Sequence, residues 1–511
     1  MYLGVDIGTS GVKASLVDLD GGIVASARRK FRILGLEDDY RELDPLEIAA
    51  GAKDAVREAA GAAGARGIDL ILVSALGEAI VPADAAGRPL ANCIIGSDRR
   101  GAEELDEIRS LIPDAALTAI TGLNLSVIYS LNKILHIRKH RPEVYARVRK
   151  FFLVADYFVH LLTGEALIDY SMASRTLAFD IGRKDWSPTI LSRVGVDPGL
   201  FSRPALAGTV AGTVRPAVAA ELGLPAGVRV AIGAHDHICN ALGAAAVRSG
   251  HCSNAVGTTE GITAILAGPL QPELVAKHNI SCEPFVVDDM YNTVAWHNTA
   301  GALINWLLDI CLGPDRTAEA SRTLLAALDR DSRHEPGRLL ALPHFSGATA
   351  GRMDDKAKGA ILGLTLGTSR GDLYRGLIEG ACYECRLILD ALRHSGIPVE
   401  QVHVSGGGSR SSFWVQAKAD ILGMPVTVAR VADSGALGAA VLASVVCGRH
   451  RDLEAAAAAI IGPGAVVEPI AANVRAYGER YREYLELYGK TRAASHLLQS
   501  GYPLDATSRR P

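Results

Sequence analysis

No apolar run in this 511-residue chain reaches the ~18 residues that a membrane-spanning helix needs, and Ala436–Cys447 comes nearest. Charge of one sign is missing as well. A formal net charge of −3 gives no electrostatic footing for nucleic acid or an anionic membrane, so neither is expected as a partner. Cysteine pairs are scarce. The eight cysteines are scattered singly except Cys382 and Cys385, which share a helical run with no second pair nearby. They read as two buried thiols on one helix face. The start of the chain has no basic stretch leading into an apolar one, because Met1 runs straight into an alternating strand. The expectation is a soluble, reduced, cytoplasmic protein.

What is present is ordinary globular material, 49% hydrophobic and 21% charged, long enough for two to four domains with proper cores. Glycine is in surplus at 53 residues, which points to many close backbone approaches. Residues 1–17 read as strand, turn, strand, with Val12, Ala14 and Leu16 on one face and Lys13 and Ser15 on the other. A third strand is expected over Ile23–Ala27. Asp44 and Pro45 open a helix to Gly61 as N-cap and first helical residue. Further expected elements are strands over Ile68–Ala75 and Val228–Gly233, and helical pattern from Ala102 to about Thr163. Helices are also expected over Ala295–Leu308, Arg370–His394, Asp433–Cys447 and Ala472–Leu487, with a loose tail after about residue 494.

The one internal repeat is a hairpin. Asp6-Ile7-Gly8-Thr9-Ser10-Gly11-Val12-Lys13 has a counterpart in Val256-Gly257-Thr258-Thr259-Glu260-Gly261, about half the chain away. A glycine-flanked turn exposes backbone N–H groups that cradle phosphate oxygens, and Thr9, Ser10, Thr258 and Thr259 add hydroxyls. Lys13 supplies a cation for terminal phosphates, and Asp6 a carboxylate for Mg²⁺. One such turn alone is as well explained by an ordinary hairpin with a surface lysine. Two in one chain suit a nucleoside triphosphate held from both halves. Asp236, in Gly233-Ala234-His235-Asp236-His237, stands where a strand runs into a helix. It is the expected general base toward a substrate hydroxyl, a role compatible with capping that helix. Ser405-Gly406-Gly407-Gly408 follows a strand and precedes Ser411, which makes a second stretch of backbone fit for a nucleotide.

From Tyr2 to about Leu487 these motifs, in this order, resemble the FGGY family of carbohydrate kinases. The resemblance also rests on Asp156-Tyr157 through Gly164, Leu377-Ile378-Glu379-Gly380 and Ala436-Leu437-Gly438-Ala439-Ala440. It implies an α/β fold of two ribonuclease-H-like domains of the actin and hexokinase superfamily, with an ATP and sugar cleft between them. The expected division is 1–247 on the sugar side, 248–490 on the nucleotide side, and a tail over 491–511. By position, Asp236 is the catalytic base and Asp6 the metal-side carboxylate. Thr9, Ser10, Lys13, Gly257, Thr258, Thr259, Gly301, Gly406, Gly407 and Ser411 lie toward ATP. Glu78, Asp98 and His237 lie toward the substrate. Homodimers are frequent in the family.

The departures concern substrate. Xylulokinases usually carry Met-His-Gly where this chain has Gly77-Glu78-Ala79, and glycerol kinases Arg-Glu-Thr. Gly96 stands where an aromatic is often found, and His136 where many relatives have Trp. A pentulose-type ketose is the first expectation, and a polyol of the glycerol, erythritol or pentitol type the alternative. A non-catalytic nucleotide-binding member of the superfamily is the rival from another class, and Asp236 with Glu78 and Asp98 argues against it. His235 and His237 have no third nitrogen or sulfur ligand at a convincing spacing, which disfavours a metal site there.

Overall fold

The computed structural model describes residues 1–35, 40–62, 67–349, 352–431 and 434–501. The chain divides into two compact units, each discontinuous in sequence. The first comprises Met1–Ser249, Thr263–Val294 and Asp433–Pro463, and the second Gly250–Ile262, Ala295–Ala432 and Gly464–Pro511.

In the first unit the opening alternation produces the expected hairpin. Tyr2–Gly8 pairs antiparallel with Gly11–Val17, Asp6 opposite Lys13 and Gly8 opposite Gly11, and Ile23–Lys30 adds a third strand. On its other edge Tyr2–Gly8 runs parallel to Leu70–Ala75, which runs parallel to Arg229–His235. All six residues of Leu70–Ala75 are buried, so this strand reads as a continuous apolar run and not as an alternation. The register sets Ile7 beside Ala75 and Ala75 beside His235. Three parallel strands therefore end at one level, and Gly8, Leu76 and Asp236 are the next residues out. The Pro45–Gly61 helix begins as expected, with Asp44 accepting from the backbone N–H of Leu46 at 2.8 Å.

Two short-sided helices close this sheet. Asp236–Gly243 continues the third parallel strand, and Gly435–Val446 packs against both that helix and the first strand. Glycine is required at the crossing. A Cβ on Gly243 would collide with the carbonyl oxygen of Ser434, one on Gly438 with that of Cys239, and one on Gly4 would lie 2.8 Å from the Cβ of Ala439. Asp433, the expected first residue of that helix, lies outside the described residues.

The second unit repeats the arrangement. His251–Val256 runs parallel to Gln401–Ser405, which runs parallel to Val426–Val428, and Ala465–Val467 closes the edge antiparallel. Ala255 is level with Ser405, so Val256-Gly257 and Gly406 leave the sheet side by side. The His251–Val256 strand returns through Gly257-Thr258-Thr259 into Glu260–Leu266. A buried charge cluster anchors this hairpin. The Lys418 ammonium, from the Ser412–Leu422 helix, donates to both Asn254 and Glu260, and the second Glu260 oxygen is 3.0 Å from His297 Nε2. Burial alone would raise the Glu260 carboxyl, but the Lys418 charge and the His297 contact hold it down at about 2.

Three elements differ from the sequence reading. The helical pattern over 102–163 is interrupted by a strand, Lys150–Leu153, which pairs with Ile80–Ala83 and buries Phe151 and Phe152. The expected helix over Ala295–Leu308 is a strand, Tyr291–His297, followed by a helix from Gly301 to Leu312. The β-branched and aromatic residues Tyr291, Thr293, Val294 and Trp296 suit the strand, and the His297 side chain folds back to the Thr299 carbonyl at 3.0 Å before the helix starts. The last helix continues to Gly501, beyond the expected break near 494, because Ser495 accepts from the backbone N–H of Lys358 at 2.6 Å and His496 meets Asp354 at 2.7 Å. Among the described residues no helix is long and apolar enough to cross a membrane.

Lys418→Met leaves Glu260 charged and buried without its cation, and is expected to cost about 3–5 kcal/mol in chemical denaturation. The wild-type pair stabilises the fold above the ordinary glutamate pKa and loses that contribution as pH falls from about 4.5 toward about 2, so the cost of the variant shrinks across that acid window. Gly438→Ala, at the helix crossing, is expected to lower the melting temperature. Gly489→Ala, whose Cβ would meet nothing within 4 Å inside the last helix, should raise it by about a degree or two.

Candidate functional site

The level strand ends of the first unit gather its polar residues. Asp236 opens its helix with a half-buried side chain, and its Oδ1 accepts no hydrogen bond among the described residues. The imidazoles of His235 and His237 stand 3.3 and 3.9 Å from that oxygen. Burial raises the Asp236 carboxyl above the ordinary aspartate value, Glu78 adds to the rise, and His237 and Arg175 oppose it. His235 is neutral: burial, then His237 and Arg175, push its pKa well below the usual range. Its backbone N–H is fixed at 3.0 Å by the Ser171 hydroxyl, which in turn donates to the buried Asp169. The strand end that delivers Asp236 is thereby held from the next element. A hydrogen-bond acceptor with a raised pKa and an oxygen left without a hydrogen bond is what a general base needs.

Glu78 sits on the turn after the middle parallel strand. Its φ of 61° is unusual for a residue with a side chain, and the Ser130 hydroxyl holds its carbonyl at 2.7 Å. The carboxylate faces an arginine that the sequence reading did not identify. Arg175 donates to Glu78 through Nε at 2.5 Å and through Nη2, and to Glu283 through Nη1 at 2.8 Å, with its guanidinium 5.1 Å over the Tyr129 ring. Arg175 directly follows the short helix Tyr170–Ser174, which Asp169 caps by accepting from the N–H groups of Ser171 and Met172. Glu283 is fully buried, and its second oxygen accepts no hydrogen bond among the described residues.

The glycines that depart from the family pattern make room for this network. A Cβ on Gly77 would lie 3.0 Å from His235 Nε2 and 3.1 Å from Arg175 Cγ, and one on Gly96 3.3 Å from Glu78 Oε2. The only prior signal of Arg175 was that missing bulk beside Glu78; its sequence separation of 97 residues concealed the pairing.

Asp98 is not open to a substrate. Its carboxylate is fully buried, accepting from Arg100 Nη2 at 2.6 Å and from the backbone N–H of Arg41 at 2.7 Å, while Arg100 also reaches Glu42 at 2.7 Å. Burial pushes its pKa up, but the Arg100 fork and the backbone donors win and hold it below the ordinary value. In this arrangement Asp98 braces the strand end.

Thr9 and Ser10 are exposed at the first turn, with Asp6 and Lys13 directly opposite each other just behind it. Gly435 leaves space at Asp6: a Cβ there would lie 3.2 Å from Asp6 Oδ2 and 3.3 Å from Asn240 Oδ1. In the second unit Gly257, Thr258 and Thr259 are exposed, and the turn is strapped to the helix at 301–312. Gly301 donates to the Gly257 carbonyl at 2.9 Å, and Ala300 and Ala302 to that of Thr258 at 3.0 and 3.1 Å. Gly301 is obligatory in this contact, since a Cβ would lie 2.5 Å from the Gly257 oxygen. Gly406, at φ 85°, passes equally close to the Val256 carbonyl, and Gly407 next to it stays clear, with nothing nearer than 4.0 Å. Ser411 is engaged within its own unit. It caps its helix by accepting from the Trp414 N–H at 3.0 Å and donates to Asp329, so its hydroxyl is already occupied.

Cys382 and Cys385 are free, buried thiols, as read. Burial raises both, Cys385 to about 12, which makes them poor nucleophiles. Glu379 and Glu384 on the same helix are consumed structurally, by Tyr477 and the Gly337 N–H and by Arg352, His344 and Tyr484.

Comparison with known proteins matches this layout. The N-terminal domain of the FGGY family of carbohydrate kinases corresponds to residues 1–243, and its C-terminal domain to residues 252–447. The chain is 27% identical to a xylulose kinase of Bacillus subtilis across 98% of both chains. It is 30% identical to a glycerol kinase of Symbiobacterium thermophilum across 88% of this chain and 90% of the relative. The crystal structure of a xylulose-type kinase from Brucella ovis superimposes with a TM-score of 0.86 at 28% identity, covering 96% of this chain and 99% of that one. The α/β units, the two glycine-threonine turns and the matched domains lead to one assignment: the chain belongs to the FGGY family of carbohydrate kinases, phosphotransferases that act on an alcohol group.

Proposed function

We propose that this enzyme moves the γ-phosphoryl group of ATP to a hydroxyl of a neutral ketose of the pentulose type, with Asp236 as the base. The observation that carries this is the half-buried Asp236 side chain, whose Oδ1 is buried without a hydrogen bond among the described residues and feels the charges of Glu78 and Arg175. Asp236 takes the proton of the attacking hydroxyl as the oxygen closes on phosphorus. Its raised pKa brings it nearer the range where it can both hold and release that proton. Phosphoryl transfer demands positioning and electrostatics more than covalent help. We assign Glu78 to the substrate hydroxyls, and Thr9, Ser10 and Lys13 of the first unit and Gly257, Thr258, Thr259 and Gly407 of the second each to nucleotide phosphates, on the strength of their exposed glycine-flanked turns.

The oxygen donors around Asp6, which include Asn240 Oδ1 and the Ser434 hydroxyl 3.2 Å from it, suit a hard ion such as Mg²⁺. The missing Cβ of Gly435 leaves Asp6 the space. Mg²⁺ held there would offset charge on the phosphate oxygens.

The pocket's charge supports a neutral substrate. Asp236, Glu78 and Glu283 are three carboxylates, against the guanidinium of Arg175 and the buried ammonium of Lys133, whose pKa burial lowers to about 8. An aldonate would bring a further negative charge to this site. A polyol is the second reading, favoured by the Arg175–Glu78 pair, since one arginine and one glutamate stand together here as in the Arg-Glu of glycerol kinases.

Asp236→Asn is expected to lower kcat by about a thousandfold or more with nucleotide affinity nearly unchanged, read by ADP release and by ATP titration. In the wild type kcat/KM should fall on the acid side with an apparent pKa above the ordinary aspartate value, because the protonated base is inactive. Across a panel of pentuloses, polyols and gluconate, gluconate should trail the best substrate by about a hundredfold or more. Arg175→Lys keeps the charge but loses the fork between two carboxylates. It should raise KM for the sugar about tenfold while changing kcat less, and an unchanged KM would refute the positioning role.

A further inference from the structure

We propose that Glu104, His136 and His140 form a binding site for a divalent transition ion of borderline softness, such as Zn²⁺, which pins the Ala102–Leu111 helix to the Ser130–His140 helix. The two histidines are four residues apart, so they share one helix face, with ring centroids 4.4 Å apart. Glu104 reaches them from the first turn of the neighbouring helix. Its Oε2 is 3.8 Å from His136 Nδ1 and its Oε1 3.3 Å from His140 Nε2. All three ligand atoms lie within 4.8 Å of one another. Tetrahedral bonds of about 2.0–2.2 Å put ligand atoms about 3.3–3.6 Å apart, so a small movement of two side chains completes the geometry.

The second observation is the Glu104 carboxylate itself. It is 1% exposed, and neither oxygen accepts a hydrogen bond among the described residues. A buried carboxylate is costly unless paired, hydrogen-bonded or bound to a metal. Lys139 is the competing cation, 3.8 Å from Glu104 Oε1. It is half exposed and also lies 3.4 Å from Glu103, so it can leave without losing its partner. The donor set of two imidazoles and one carboxylate suits zinc and not Mg²⁺ or Ca²⁺, which prefer oxygen alone. Burial lowers the pKa of His136, which keeps its ring neutral and able to bind. His140 is 43% exposed and leaves the ion a path from solvent and a water for its fourth position.

The helix that carries both histidines begins at Ser130, whose hydroxyl fixes the Glu78 carbonyl, and follows Tyr129 beneath Arg175. An ion at its far end stiffens the support of the turn that bears Glu78.

The test uses the full chain, free of any affinity tag and stripped with a chelator, titrated with Zn²⁺ in a calorimeter without nucleotide. The expected result is one site per chain with about micromolar affinity or tighter, and a rise in melting temperature on adding Zn²⁺. Both are lost, or weakened about a hundredfold, in His140→Gln and Glu104→Gln. His140→Gln alters a partly exposed side chain, so its metal-free melting temperature should match the wild type. His237→Gln is the control for the other histidine cluster, and it should leave Zn²⁺ binding intact. Failure of the wild type to bind, binding unchanged in His140→Gln, or binding abolished by His237→Gln would each overturn the proposal.

Discussion

Parallel strands that end at a common level impose the organisation of this protein. Backbone pairing fixes Ile7, Ala75 and His235 in one row, and the chain must then leave the sheet from three adjacent points. At those points the residues no longer owe their side chains to a sheet face, so a turn, a carboxylate and a helix start can occupy neighbouring positions. Ligands of open α/β sheets gather at strand carboxyl ends for this reason. The second unit obeys the same rule, setting the Gly257 turn beside Gly406.

Several of the charges the protein buries are matched by opposite ones. Arg175 joins two carboxylates, Arg100 another two, and Lys418 meets Glu260. Networks like these contribute little net stability over apolar packing. What they supply here is direction: each fixes a side chain or strand end that an apolar contact would leave free to rotate. Glu78 shows the effect most clearly, since its left-handed backbone, its hydroxyl-held carbonyl and its paired carboxylate leave it one orientation.

The sequence made the turns legible because the same glycine-threonine hairpin occurs twice, and made the position of Asp236 legible because it stands where a strand gives way to a helix. Arg175 and Glu283 were hidden, since each pairs with a residue far along the chain and neither belongs to a local pattern. At Asp98 and Ser411 the sequence hid the partners instead. Their chemistry fits a ligand, but partners at Arg100 and Asp329 arrive only with the fold. Among elements, the strands Lys150–Leu153 and Tyr291–His297 were lost inside longer apolar stretches whose period does not separate helix from strand. Departures at Gly77 and Gly96 were visible as lost side chains, yet only the structure gives the space a tenant.

The helix that covers the first strand, Gly435–Val446, is encoded almost two hundred residues after the Asp236–Gly243 helix it packs against. On a ribosome the face around Gly4 and the Asp236–Gly243 helix therefore emerge long before the residues that cover them. At the usual pace of translation that interval lasts roughly 10–40 s. The N-terminal sheet must wait in a half-finished state, with a narrow groove of small residues exposed, while the second unit is being made inside the gap. Vectorial synthesis thus nests the assembly of one unit within that of the other, and a chain released before residue 435 would lack the helix that completes its first core.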